Sequence, residues 1–452
     1  MNASQHEETP EAPAAVSLNA AFWYWLKLGF ISFGGPAGQI ALMHTDLVER
    51  KRWISEQRFL HALNYCMLLP GPEAMQLAVY IGWLMHRSIG GIIAGILFVL
   101  PSLIILIALS WIYLSFGDLP IIAGILFGIK PAIVVIVLAA ALRIGSRSLK
   151  NRWLISIAGL AFIAITLFQC PFPLIVLIVA LLGVLGSRVL PDQFQLGSAH
   201  SASKKSSGSA LIDDHTISPD HTQFIWRKFF IVVGVGLALG ISVWGILIAL
   251  TGWTHTLTQM SWFFTKAAML TFGGAYAVLP YVYQGAVTHF QWLSPEQMID
   301  GLALGETTPG PLIMIVAFVG FVGGWSKEIF GASHLLLAGI AGATVATFFT
   351  FLPSFIFILA GAPLVEATRN NIKFTAPLTA ISAAVVGVIL SLAVFFAEHV
   401  FHISQPLVNW DVVSISIAIL AALALWRFKL STIKLIALCA LAGLVVSYLP
   451  LA

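Results

Sequence analysis

The sequence predicts an all-α polytopic membrane protein, built from two inverted-topology repeats with broken or re-entrant helices, N-terminus in and C-terminus out. Three observations predict it. Of 452 residues, 59% are hydrophobic and only 9% charged, against about 25% charged in soluble domains. The mean hydropathy of +0.94 leaves too little polar surface for a soluble fold. The stretch from Trp23 to Gln76 returns without a gap 239 positions later. Finally, each copy carries glycine and proline interruptions inside apolar runs.

The elements follow in chain order. A polar tail, 1–19, carries Glu7, Glu8 and Glu11 without a basic n-region, so no signal peptide is expected. The first repeat covers 20–188, a flexible cytoplasmic linker 189–224, a connecting transmembrane helix 225–251, and the second repeat 255–452. Runs fit for full crossings are 89–116, 119–142, 153–169, 172–187, 225–251, 333–361, 374–397, 411–426 and 432–450. The linker, with Lys204-Lys205 and Asp213-Asp214-His215, has almost no apolar periodicity.

Four further apolar stretches break in the middle: 23–47 at Phe33-Gly34-Gly35-Pro36, 59–86 at Pro70-Gly71-Pro72, 262–285 at Gly273-Gly274, and 297–325 at Pro309-Gly310-Pro311. Proline lacks a donor and clashes with the preceding turn, so neither Pro-Gly-Pro continues a regular helix. Each stretch is either one broken crossing or a re-entrant hairpin of two half-helices. With re-entrant hairpins and nine crossings, the clusters Arg50–Arg58, Arg87, Arg143–Arg152, the linker region, Arg369 with Lys373, and Arg427–Lys434 share one face. Only Lys327 falls on the other. The competing count has thirteen crossings, also inverted, and puts Arg50–Arg58 outside.

Paired interruptions in two apolar halves point to a transporter's binding site, and a repeat half the chain long argues against a solenoid. A half-helix beginning at mid-membrane offers unpaired N–H groups and a positive dipole end, which suit an anion. Pro36, Pro72 and Pro311 are expected at first helical positions. Gly34, Gly35, Gly71, Gly273, Gly274, Gly310 and these prolines are therefore the candidate binding backbone, and Gly35, Pro36, Gly71, Pro72, Gly274, Gly310, Thr307 and Thr308 are expected around one central cavity. Ser32, Thr271, Thr307 and Thr308 add hydroxyls. Lys27 and Lys266, matched between the repeats, either snorkel or line an anion route; Lys130 carries the same ambiguity. Glu73 and Glu306 complement helix dipoles or couple transport to protons, with His44, His61, Asp46 and Asp300 as relay candidates. Cys66, Cys170 and Cys439 are far apart and make no metal or disulfide pattern. No metal, cofactor, enzymatic activity or nucleic-acid partner is expected; the partner is the lipid bilayer.

Several strings resemble the chromate ion transporters. In the first half these are Phe33-Gly34-Gly35-Pro36 with Ile40–His44, Val48–Trp53, and Leu68–Ala74. In the second half they are Thr271–Pro280, Gly305–Met314, Phe351-Leu352-Pro353 and Ala384–Ile389. The resemblance covers about 20–190 and 255–400. It implies the long, two-domain form of that family, exporting chromate across the inner membrane and conferring resistance. Family members often carry His where Gln39 stands. Sulfate, matched in shape, is the alternative substrate, a passive anion channel the alternative mechanism, and a homodimer is compatible with the sequence.

Overall fold

The computed structural model describes residues 15–189, 210–213, 220–272, 274–367, 375–402 and 411–448. The tail through residue 14, Gly273, most of the linker, and Arg369 with Lys373 lie outside the described residues. What is described is helical throughout, as an apolar environment demands: lipid offers no partner to exposed backbone, so the chain must satisfy its own N–H and C=O groups.

The first repeat comprises α1 (Leu18–Ile31), α2 (Gly35–His44) with a π-helical end at Thr45–Arg50, α3 (Glu56–Cys66), α4 (Glu73–Phe116), α5 (Pro120–Ser148), α6 (Arg152–Thr166) and α7 (Phe172–Val189). Helix α8 (Trp226–Thr251) connects the halves. The second repeat follows as α9 (Thr256–Met269), α10 (Ala275–Tyr283) with a π-helical end at Gln284–His289, α11 (Pro295–Thr307), α12 (Ile315–Ser326), α13 (Leu335–Ala367), α14 (Thr375–Phe401), α15 (Val412–Trp426) and α16 (Thr432–Tyr448). Six described helices are long and apolar enough to cross a membrane, and Arg152–Thr166, Leu312–Ser326, Val412–Trp426 and Thr432–Tyr448 are shorter apolar helices.

Every broken stretch doubles back. The rings of Tyr24, early in α1, and Trp53, beyond the π-helix, lie 4.9 Å apart. Lys51 sits 5.6 Å over the same tyrosine. In the second repeat, Phe263 and Trp292 repeat the contact at 5.5 Å. A single crossing would hold these ends a membrane apart. The Pro-Gly-Pro stretches fold likewise: Arg58 of α3 and Tyr80 of α4 both reach Glu366. A Cβ on Gly301 of α11 would strike Phe318 of α12, and one on Gly323 would crowd Trp292.

Helix α4 is itself two arms. His86 (φ −134°) and Arg87 (φ 56°) leave helical geometry, and the arms 73–85 and 88–116 fold against each other at Gly82 and Gly90, where backbone meets backbone. Gly320 and Gly342 make the corresponding crossing between α12 and α13. The second arm of α4 then packs antiparallel to α13, with Gly91 against Leu359 and Gly95 against Phe355. These two helices are repeat counterparts, so the halves run in opposite directions.

The halves are interlocked rather than side by side. Helix α5 packs on α15 and α16 of the other half, while its counterpart α14 packs on α6 and α7. Helix α8 buries no residue and touches mainly α13 and α9. The linker is not wholly detached: Leu211 and Ile212 donate N–H groups to the Arg52 and Trp53 carbonyls at 2.9 and 3.1 Å. That short parallel bridge departs from the uniform flexibility expected of 189–224, and the burial of Ala210 and Ile212 gives the reason.

Replacing Gly82 by Val should cost about 1–3 kcal/mol through overpacking, because its side chain would meet the Gly90 carbonyl. Gly245→Ala on α8, with open space around it, should leave thermal unfolding of the detergent-solubilised protein unchanged. Equal melting temperatures for both variants would contradict the packing described.

Candidate functional site: the crossover of the broken helices

At the centre the breaks of one repeat meet those of the other. The Gly71 N–H donates to the Thr271 carbonyl at 2.7 Å, and the Gly310 N–H donates to the Ser32 carbonyl at 2.8 Å. The two bonds are repeat counterparts, since Ser32 matches Thr271 and Gly71 matches Gly310. Ser32 ends α1 in non-helical geometry (φ −80°, ψ 75°), which turns its carbonyl outward. Gly71 and Gly310 have φ of 129° and 105°, a region that favours glycine. A Cβ at either would also collide, at Gly71 with Ser354 and Gln76, at Gly310 with Ser102.

Two buried glutamines brace this backbone. Gln39 donates through Nε2 to the Gly310 carbonyl at 2.5 Å and the Ser32 carbonyl at 3.2 Å. Gln76 donates to the Pro70 carbonyl at 2.8 Å and to Ser354 Oγ at 3.3 Å. Ser32, Gln76 and Ser102 are 0% exposed and Gln39 is 1% exposed. Ser32 Oγ, Ser102 Oγ, Gln39 Oε1 and Gln76 Oε1 have no hydrogen-bond partner. Unpaired buried polar atoms cost about 1–3 kcal/mol each, so a cluster of four marks a place built for something other than packing.

The structure therefore brings Gly71, Pro72, Thr308, Gly310 and Pro311 into the buried centre, with Gly35, Pro36, Gly274 and Thr307 half-buried and Gly34 exposed. Gly71 and Gly310 are closed off by bonds to the opposite repeat, whereas a Cβ at Gly35 or Gly274 would meet open space. The same pairing means that the Gly71 and Gly310 N–H groups are not the free donors the sequence suggested. Pro36 is the second residue of α2, while Pro72 sits one residue before α4 and Pro311 one residue before a short 3-10 turn, Leu312–Met314, that leads into α12. Thr307 and Thr308 turn their hydroxyls back onto the Leu304 carbonyl at 2.9 and 2.7 Å, a local bond that competes with any outward role.

Among the acids, Glu306 is buried and accepts from the Tyr276 hydroxyl. Arg143 is the cation whose field reaches Glu306, and Arg147 the one whose field reaches Glu73. His44 lies far down α2, bracketed by Glu49 at 3.3 Å and Glu56 at 2.6 Å, away from the breaks. Lys27 and Lys266 are exposed and stay outside the crossover. Lys27 lines a pocket of about 450 Å³ with Trp23, Tyr24, Asp46, Arg50 and Lys51, and Lys266 rests 5.5 Å over the Trp262 ring.

Sequence reading missed Gln76, Ser102 and Ser354. The signal was there: Leu100-Pro101-Ser102 returns as Leu352-Pro353-Ser354 at a shift of 252, thirteen beyond the first repeat spacing. The turn between α12 and α13 breaks the register.

Lys130 has a partner after all. Its Nζ lies 3.4 Å from Asp300 Oδ1, and Tyr113 donates to Asp300 Oδ2 at 2.9 Å. A second cluster, Arg58 and Tyr80 on Glu366, stands at the C-terminal end of α13. Because α13 and the second arm of α4 are antiparallel, the two clusters sit at opposite ends of the molecule. Removing one partner of a buried ion pair strands the other's charge. Asp300→Asn should thus lower stability by about 1–3 kcal/mol, and adding Lys130→Met should restore most of it. A double variant as unstable as the sum of the single variants, by thermal unfolding, would contradict the pairing.

Comparison with known proteins agrees with this architecture. The chromate transporter family model matches residues 19–185 and 258–444, one match per repeat. The chromate transport protein of Cupriavidus metallidurans is 29% identical over 98% of both chains. That of Pseudomonas aeruginosa is 32% identical over 96% of this chain and 94% of its own. The uncharacterized transporter YwrA of Bacillus subtilis is 34% identical over 96% of its length but 38% of this chain, about one repeat. No solved structure matches the chain. With both repeats covered by the model, the chain belongs to the chromate transporter family.

Proposed function

We propose that this protein is a secondary transporter that carries chromate out of the cytoplasm through the crossover and so confers chromate resistance. The observation that carries the reading is the reciprocal pair of bonds, Gly71 to Thr271 and Gly310 to Ser32, which ties two inverted repeats together at their broken helices. Inverted repeats with a central site at broken helices suit alternating access. Junctions bonded shut at Gly71 and Gly310 support a carrier over a continuously open channel.

The hairpins that double back are read as re-entrant, leaving nine crossings. Each repeat then crosses four times and returns to its starting face. The single helix α8 carries the chain across, so the second repeat begins inverted. The basic clusters support an N-terminus in the cytoplasm and a C-terminus outside the inner membrane.

Direction follows from charge. A charge crossing ~100 mV is worth about 2.3 kcal/mol, so an anion leaving a negative interior gains about that much for each charge it carries. At about 1.4 kcal/mol per tenfold, this supports a gradient of roughly fiftyfold per charge without a coupling ion. Lys27 and Lys266, exposed beside Trp23 and Trp262, fit a role in gathering anions at the entrances more than in holding them. Glu73 and Glu306 remain the groups through which protons would couple.

Cells carrying the chain should grow on chromate at concentrations that stop cells lacking it, and everted vesicles should accumulate chromate. Equal growth and no accumulation would contradict export. Lys27→Gln should raise the half-saturating chromate concentration at low salt. The effect should fade at about 0.15 M, where the Debye length is about 8 Å. A salt-independent loss of maximal rate would place Lys27 in the transport path itself.

A further inference from the structure

The two corners of the crossover are built on the same plan but are not equally satisfied. In the corner at Gly71, Thr271 donates its hydroxyl to the Ala267 carbonyl at 2.7 Å, and Ser354 Oγ takes the Gln76 amide. In the corner at Gly310, the counterpart hydroxyls of Ser32 and Ser102 have no partner, nor does Gln39 Oε1. All three atoms belong to residues at most 1% exposed, and all three residues stand against Gly310. Three polar atoms left open in one corner, with one in the other, make the Gly310 corner the one that a substrate would complete.

The chemistry of the corner is specific. Gln39 faces two carbonyl oxygens, Ser32 and Gly310, so the amide atom turned toward them must be the nitrogen. The remaining Oε1 is fixed as an acceptor and cannot donate. The serine hydroxyls can rotate to donate. Two donors and one obligatory acceptor suit an oxyanion that keeps an O–H. They do not suit one that offers only acceptor oxygens, because the Gln39 oxygen would then face a like partner. Charge points the same way. The desolvation cost of an ion rises with the square of its charge, so burying a dianion costs about four times as much as a monoanion. Hydrogen chromate loses its proton near neutral pH, whereas hydrogen sulfate keeps its proton only in strong acid.

Resting on the transport reading above, we propose that Ser32, Ser102 and Gln39 form the substrate subsite, and that it takes a tetrahedral oxyanion in a protonated form. Ser32 and Ser102 donate to unprotonated oxygens, and Gln39 Oε1 accepts the substrate's O–H. The subsite thereby rejects sulfate-like dianions through a missing proton instead of through size.

The test uses the full chain in proteoliposomes, with chromate uptake read at one fixed pH so that the protein's own groups do not change state. Arsenate and selenate are the competitors. They are close in size and shape, but near neutral pH arsenate keeps an O–H and selenate has none. Arsenate should inhibit at a concentration roughly tenfold or more below selenate, since an acceptor left unpaired costs about 1–3 kcal/mol. Gln39→Val, which installs the residue of the matched position Val278, should bring the two values close together. Ser102→Ala should weaken both competitors and leave their ratio intact. Equal inhibition by arsenate and selenate in the parent protein overturns the proposal, whether or not the variants fold. So does an undiminished ratio in Gln39→Val. Absence of any chromate uptake by the parent overturns the transport reading, and this proposal with it.

Discussion

Backbone that leaves a helix inside a membrane has to find hydrogen-bond partners within the protein. In this chain the partners come from the opposite repeat. Gly71 gives its N–H to Thr271 and Gly310 gives its N–H to Ser32. Each bond fills a gap that Pro-Gly-Pro opens in one half with a carbonyl that the helix end of the other half releases. Neither repeat satisfies the glycine N–H of its own Pro-Gly-Pro. The dependence explains why the halves interlock, with α5 on the second half and α14 on the first. It also explains why glycine is needed at both positions, where φ is positive and a side chain would meet Ser354 or Ser102.

Close approach extends outward from that centre. Glycines at Gly82, Gly90, Gly320 and Gly342 let the helices after each Pro-Gly-Pro turn back with their backbones in contact, as small residues do between membrane helices. Tyr24 on Trp53 and Phe263 on Trp292 close the other hairpins. The carboxylate clusters at Asp300 and Glu366 pin opposite ends. These contacts lie where hairpins meet, while α8 buries no residue.

Much of this was legible in the sequence because it rests on residues with few alternatives. A Pro-Gly-Pro inside an apolar run cannot stay helical, so the breaks at Pro70–Pro72 and Pro309–Pro311 were readable, and their exact repetition made the pairing of halves readable too. The doubling back was harder, since re-entrant hairpins and broken crossings share one pattern; only contacts such as Tyr24 with Trp53 separate them. Side-chain partners that join distant elements were not legible. Nothing in spacing ties Lys130 to Asp300, or Gln39 to Gly310. Ser102 and Ser354 were hidden by the longer turn between α12 and α13, which shifts the repeat. Thr307 and Thr308 looked like donors by position, but a threonine at a helix end readily bonds its own preceding turn, and both do.

The central claim is that the bonded crossover of the two repeats is where the transported anion acts. Amide hydrogen exchange of the purified chain in lipid nanodiscs, with and without chromate at matched ionic strength, tests it most directly. The account predicts that peptides covering 68–76 and 307–315 exchange slowly at rest, and that chromate changes both together while α8 is unaffected. Chromate-dependent exchange confined to other segments, with these two peptides unmoved, would contradict it.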